Sequence, residues 1–143
     1  MKLLLLQGAN LNYLGYKKGK PYGGTTAKEL DALLIEHAKK FNYQLEIFYT
    51  NIEGEAINKI YECLEKGIDG IVANPAGFTH NAYALRGCLS SIAPPYVEVH
   101  MTNIDKSKIP SITSEAAEGV VMGFGIDSYF IALEAILRLL SKK

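Results

Sequence analysis

A chain of 143 residues with 48% hydrophobic content can fill one core but is too short for two ordinary domains, so a single domain over 1–143 is expected. Fifteen Lys and Arg balance fifteen Asp and Glu, which argues against nucleic acid or an anionic membrane surface as partner and favours a small molecule or a protein. Cys63 and Cys88 match no metal-ligand or redox spacing and fit a reducing cytoplasm. The opening apolar run is shorter than a signal-peptide core, and no stretch has the apolar length to cross a bilayer.

In chain order, Lys2 to Gln7 is a continuous apolar run that reads as a central strand covered on both faces. Thr25 and Thr26 offer an N-cap to a helix from Ala27 to about Phe41, with Leu30, Leu33, Leu34 and Ala38 facing inward and His37 exposed. Gln44 to Thr50 reads as a second strand. Glu53 to Lys66 reads as a second helix, burying Ala56, Ile57, Ile60 and Leu64 and stopped by Gly67. A third strand, Gly70 to Ala73, enters the turn Asn74-Pro75-Ala76-Gly77-Phe78-Thr79-His80, and a helix follows from Ala82 to Ser91. Pro94 and Pro95 precede a fourth strand, Tyr96 to His100. A polar connection, Met101 to Ser114, leads to a fifth at Gly119 to Met122, and Gly123-Phe124-Gly125 opens a last helix, Ile126 to Leu140. Read as β then α five times over, this order demands parallel strands and right-handed crossovers. The expected fold is a doubly wound α/β three-layer sandwich around a five-stranded parallel sheet. Ligands in such sheets bind outside the carboxyl ends of the strands.

The polar residues gather on that edge: Asn10 and Asn12 after strand one, Asn74, Thr79 and His80 after strand three, and Glu98, His100, Thr102 and Asn103 at the end of strand four. Glu98 and His100 are two apart on a strand and so point to one face. They can form an acid–base pair near neutral pH or a hydrogen-bonded strand end, and a metal site with His80 is a third possibility, although no closed ligand set is visible. The Asn74 turn is either a cradle of backbone N–H groups for an anion or carbonyl, or a turn capped by Thr79. Gly123-Phe124-Gly125 without a third glycine fits strand-to-helix packing better than a dinucleotide site. The long segment from Leu11 to Thr26, rich in glycine, tyrosine and lysine, is an active-site lid or a solvated surface loop.

Seven motifs in one order, G-A-N-L-N-x-L-G, Y-G-x-T-T, E-G-E, N-P-A-G-F-T-H, A-L-R, V-E-V-H-M-T-N and G-F-G, resemble the type II dehydroquinases, the 3-dehydroquinate dehydratases of shikimate and quinate metabolism. The resemblance covers nearly the whole chain. It implies a flavodoxin-like fold, assembly as a homododecamer of trimers, and anti elimination of water from 3-dehydroquinate through an enolate, with no metal and no organic cofactor. By position, Tyr22 matches the base that removes the C2 proton, and His100 the general acid for the departing C1 hydroxyl. Asn10 matches the holder of a water near the enolate oxygen, and Glu98 the group that orients His100. Asn74, His80 and Thr102, with Met101 and Ile104 beside it, match the groups that bind substrate hydroxyls and carboxylate.

The chain also departs from the family pattern. Lys17 stands where a lid arginine activates the tyrosine, and Lys108 is the nearest candidate for a second arginine beyond strand four; the only arginines are Arg86 and Arg138. A tyrosine pKa near 10 must fall about three units to act at neutral pH, roughly 4 kcal/mol. One cation about 4 Å away at an effective dielectric near 20 supplies as much, so a lysine suffices in charge but not in planar geometry. Gly87 replaces an aspartate that reaches a neighbouring subunit, and Ala76-Gly77 inverts the usual order. The alternatives to a working dehydratase are a catalytically weak relative that binds a small molecule or serves as a structural oligomer, and, from fold class alone, a flavin or nucleotide binder.

Overall fold

The computed structural model describes residues 1–16, 18 and 23–142. Five strands, β1 (Lys2–Ala9), β2 (Gln44–Tyr49), β3 (Gly70–Ala76), β4 (Tyr96–His100) and β5 (Gly119–Met122), form one parallel sheet in the order β2-β1-β3-β4-β5. Four helices cover it: α1 (Ala27–Lys40), α2 (Glu53–Glu65), α3 (Tyr83–Ser91) and α4 (Asp127–Ser141).

The two faces follow from alternation along β1. Leu3 and Leu5 join Val72, Val97 and Val99 in a core closed by Leu30 and Leu34 of α1 and Tyr129, Leu133 and Ile136 of α4. Leu4 and Leu6 join Ile71, Ala73 and Tyr96 in a second core, closed by Ala56, Ile60 and Cys63 of α2 and Leu85 and Leu89 of α3. A run of four leucines is therefore what a strand with helices on both sides requires. The expected N-cap is present: the Thr26 hydroxyl accepts from Glu29 N–H while Glu29 Oε2 accepts from Thr26 N–H at 2.8 Å, a reciprocal capping box. Gly67, at φ +71°, ends α2 as expected.

Three expectations need correction. The β-then-α repeat is not fivefold, because β4 crosses to β5 through an irregular connection and a single 3-10 turn, Thr113–Ala116, with no α-helix. Thr113 is wholly buried there, so a polar stretch still packs on the sheet. Leu33 is 41% exposed, because Leu30, Leu34 and Ala38 already fill the strip of α1 that meets the sheet. His37 is not exposed: its side chain lies at the α1–α4 seam, with Nδ1 2.9 Å from the Tyr43 hydroxyl, Nε2 3.3 Å from Glu134 Oε1, and its ring against Phe41 and Phe130.

The strand order reverses between β1 and β3, and such a reversal opens a crevice beyond the strand ends. Here the two strands stay very close. A Cβ on Gly8 would lie 2.1 Å from the Pro75 carbonyl oxygen, which is backbone and cannot swing aside. Gly8→Ala should therefore lower unfolding stability in urea by about 3 kcal/mol, the upper end for overpacking, while a control on exposed Gly54, whose added Cβ meets nothing, should not lose stability.

Candidate active site

The crevice is lined from three strand ends: Ala9, Asn10 and Leu11 at the end of β1, Asn74, Ala76, Gly77, Thr79 and His80 at the end of β3, and His100, Met101 and Thr102 at the end of β4, with Ile104 and Ile109 from the connection closing one side. Each group is placed by local chemistry. Asn10 adopts the left-handed region (φ 71°, ψ 1°) that asparagine tolerates, and its N–H donates to Asn51 Oδ1 at 2.7 Å, tying the β1 exit to the β2 exit.

Asn74 is buried. Its Nδ2 donates to the Tyr129 hydroxyl at 2.8 Å, and that hydroxyl donates to Gln7 Oε1 at 2.9 Å, while Asn74 Oδ1 accepts from Ala76 N–H at 3.1 Å. The turn that follows is not a bare α-helix entrance: β3 runs on to Ala76, a 3-10 turn spans Gly77–His80, and α3 starts only at Tyr83. Thr79 closes this turn by donating to the Ala76 carbonyl at 2.9 Å. The inverted Ala76-Gly77 order has a steric consequence. Ala76 sits at φ 48°, ψ −119°, a strained region for an L side chain, whereas a Cβ on Gly77 would come within 3.2 Å of Ala9 Cβ across the crevice floor.

The most heavily built part is on β4. Glu98 is fully buried; Oε1 lies 2.7 Å from His100 Nε2, and Oε2 accepts from the Tyr96 and Thr113 hydroxyls at 2.6 Å each. Burial pushes the Glu98 carboxyl up, but hydrogen bonds from His100, Ser111, Thr113 and Tyr96 together outweigh it and hold the group below its ordinary value. Burial, and then the Glu98 charge, pushes the Tyr96 phenol well above its usual value, so it stays a neutral donor. With Glu98 ionised, His100 Nε2 must carry the proton in that bond, and Nδ1 is left as the ring nitrogen for a ligand in the crevice.

The crevice thus gathers Asn10, Asn74, His80, His100, Met101, Thr102 and Ile104 of the expected residues, with Glu98 directly behind His100. His80 and Thr102 are exposed at its mouth, and Met101 is buried in its wall. Lys108 is exposed and not among the lining residues; its neighbour Ile109 is. Tyr22 and Lys17 lie outside the described residues. The segment that carries them is pinned at both ends, since Leu14 is buried and Gly15, at φ +88°, comes so close to Thr26 that an added Cβ would be 2.8 Å from its Cα. Sequence reasoning missed Tyr96, Thr113, Gln7 and Tyr129. Tyr96 shares the Glu98 face by strand parity and could have been found; the other three touch across long sequence separations. Among the described residues no three His, Cys, Asp or Glu side chains converge as a metal site, and no helix is long and apolar enough to cross a membrane.

Residues 1–137 match the family model for dehydroquinase class II. The chain belongs to the class II dehydroquinases. It is 39% identical over 141 residues to a 3-dehydroquinate dehydratase of Cellvibrio japonicus, covering 96% of this chain and 95% of that protein. It is 40% identical over 139 residues to a protein of Fusarium vanettenii named catabolic 3-dehydroquinase 1, covering 95% and 96%. The crystal structure of a type II dehydroquinase from Butyrivibrio crossotus superposes with a TM-score of 0.91 at 34% identity, covering 96% of this chain and 97% of that one. The five-stranded parallel sheet and its flavodoxin-like order are thus those of the dehydroquinases.

A carboxyl held below its ordinary value in the fold contributes stability above the unfolded value, about 4.5, and that contribution is lost as pH falls through the lower folded value. Glu98→Gln should be less stable than the native dehydroquinase at pH 7 by about 1–3 kcal/mol. In urea melts the gap should shrink as the pH drops below about 4.5, and a gap constant from pH 7 to pH 3 would contradict the ionised state.

Proposed function

We propose that this dehydroquinase catalyses the anti elimination of water from 3-dehydroquinate to 3-dehydroshikimate through an enolate. The observation that carries the reading is the buried Glu98–His100 pair at the floor of a crevice also lined by Asn10, Asn74 and Thr102, in a chain of this family. The substrate C2 proton lies next to the C3 carbonyl, so its removal leaves an enolate, and loss of the C1 hydroxyl then needs a proton donor. His100, when protonated on both ring nitrogens and backed by the Glu98 anion at Nε2, is that donor through Nδ1. Tyr22 is the base, with Lys17 as the cation that favours its phenolate. Asn10 holds a water against the enolate oxygen. Asn74, His80 and Thr102 bind hydroxyls and carboxylate, with Met101 and Ile104 shaping the wall and Lys108 adding long-range positive charge.

The same reading places the protein in the cytoplasm, without metal or organic cofactor, as a homododecamer of trimers. Exposed Ile52, Tyr83 and Phe124, each more than half accessible, are surfaces that such an assembly would cover. A catalytically weak relative that acts as a small-molecule-binding or structural oligomer is the second reading; the presence of Lys17 in place of arginine favours it.

Incubation with 3-dehydroquinate should produce the ultraviolet absorbance of the conjugated enone, and its absence at high enzyme concentration would sink the proposal. In the same assay His100→Ala and Tyr22→Phe should each lower kcat by about 10²–10⁴-fold. Lys17→Met should lower kcat about tenfold or more, as loss of roughly one pK unit of phenolate stabilisation would; an unaffected variant would remove Lys17 from the mechanism.

A further inference from the structure

The Glu98 carboxylate is held by more than the histidine it orients. Its Oε2 faces away from His100 and receives two hydroxyl protons, from Tyr96 and Thr113, at 2.6 Å, the short range of O–H donors on an anionic oxygen. Tyr96 is 1% exposed and Thr113 and Glu98 are 0% exposed, so bulk water does not compete with either hydroxyl for the carboxylate. The Thr113 oxygen in turn lies 3.1 Å from Ser111 Oγ, which completes the donor chain. Two features argue against ordinary buried groups that merely satisfy themselves. Both hydroxyls converge on one oxygen, and Thr113 opens the 3-10 turn at the end of the same connection whose Ile104 and Ile109 wall the crevice.

We propose that Tyr96 and Thr113 are positioning residues for the dehydration, their hydroxyls holding Glu98 Oε2 so that Oε1 remains a pure acceptor for His100 Nε2 and Nδ1 faces the substrate. The proposal rests on the functional reading above and deepens it. Without these donors, burial would dominate and Glu98 would take a proton. A protonated Oε1 would donate to Nε2, and the imidazole would then hold a single hydrogen, on Nδ1, as a neutral ring that is a far weaker acid than the imidazolium an anionic Glu98 stabilises. The titratable side chains facing Glu98 are Tyr96 and His100, both from β4; the connection contributes only the neutral Ser111 and Thr113.

The test compares the native protein with Tyr96→Phe/Thr113→Val, a nearly isosteric pair that removes both hydroxyls, and with each single variant, which should show smaller effects of the same kind. The ring nitrogens of 15N-labelled histidine report the tautomer without any turnover. The native spectrum should show His100 protonated on Nε2 at neutral pH, and the double variant a shift toward protonation on Nδ1. With 3-dehydroquinate, kcat should fall about tenfold to a hundredfold with little change in KM, and the acid limb of the kcat profile should move to higher pH. In the Thr113→Ser variant, which keeps the hydroxyl, the tautomer and acid limb should match native. A double variant with the native tautomer and an unmoved acid limb would overturn the proposal. If the native protein fails to convert 3-dehydroquinate while the tautomer still shifts in the double variant, the positioning geometry holds and only the functional reading falls.

Discussion

One buried charge organises this molecule. A carboxylate removed from water costs several kcal/mol unless its oxygens are fully paired, and Glu98 sits at zero exposure in the middle of the sheet. The cost is offset because three donors, from Tyr96, His100 and Thr113, are within 2.7 Å. Satisfying one anion in this way fixes the end of β4, the rotamer of His100 and the last residues of the connection from Met101 to Ser114. The helix-free crossover from β4 to β5 follows the same demand, since a regular helix there would keep its own backbone bonds but would not bring the Thr113 and Ser111 hydroxyls to the carboxylate.

The crevice is held from both faces of the sheet by separate buried polar networks. Strand parity sends Tyr96, Glu98 and His100 toward the side of α2 and α3, while Gln7 and Asn74 point to the opposite side, where Tyr129 of α4 links them. The two networks meet only at the strand ends, where Asn74 and His100 both line the cavity. This arrangement sets the functional polar groups on the rigid sheet, with their backs hydrogen-bonded. Beside it Leu14 is buried and Gly15 packs directly against Thr26. Strain at Ala76 belongs to the same floor: the crevice needs a sharp reversal after Pro75 and a side-chain-free approach at Gly77 to Ala9, and only the second of these positions is a glycine.

Much of this was legible in the residues. The leucine run of β1 announces a two-sided strand because neither face can be polar, and the pairing of Glu98 with His100 follows from the period of two along a strand. The seven collinear motifs point to the family, and Thr25 and Thr26 offer the helix start, although the partner that completes the cap, Glu29, is seen only in the fold. What the sequence hid is physical in kind. His37 looks solvent-facing on a helix wheel, and only the approach of α4, nearly a hundred residues later, encloses it. Leu33 looks like core because helical spacing cannot say how wide a buried strip is. Thr113 sits in a polar stretch that resembles any surface connection, and its role depends on a carboxylate fifteen residues earlier. Tyr96 was readable by parity, yet an aromatic in an apolar strand passes for packing until its hydroxyl is seen to face an acid. The proposed base Tyr22 and its proposed cation Lys17 rest on the sequence motifs alone.

Everything above depends on Glu98 being an anion with His100 as its hydrogen-bonded partner through Nε2. Neutron diffraction from deuterium-exchanged crystals at neutral pH locates those protons directly. It should show deuterium on His100 Nε2 and on the Tyr96 and Thr113 hydroxyls directed at Oε2, with none on either Glu98 oxygen. A deuteron on Glu98 Oε1 facing a bare Nε2 would contradict it.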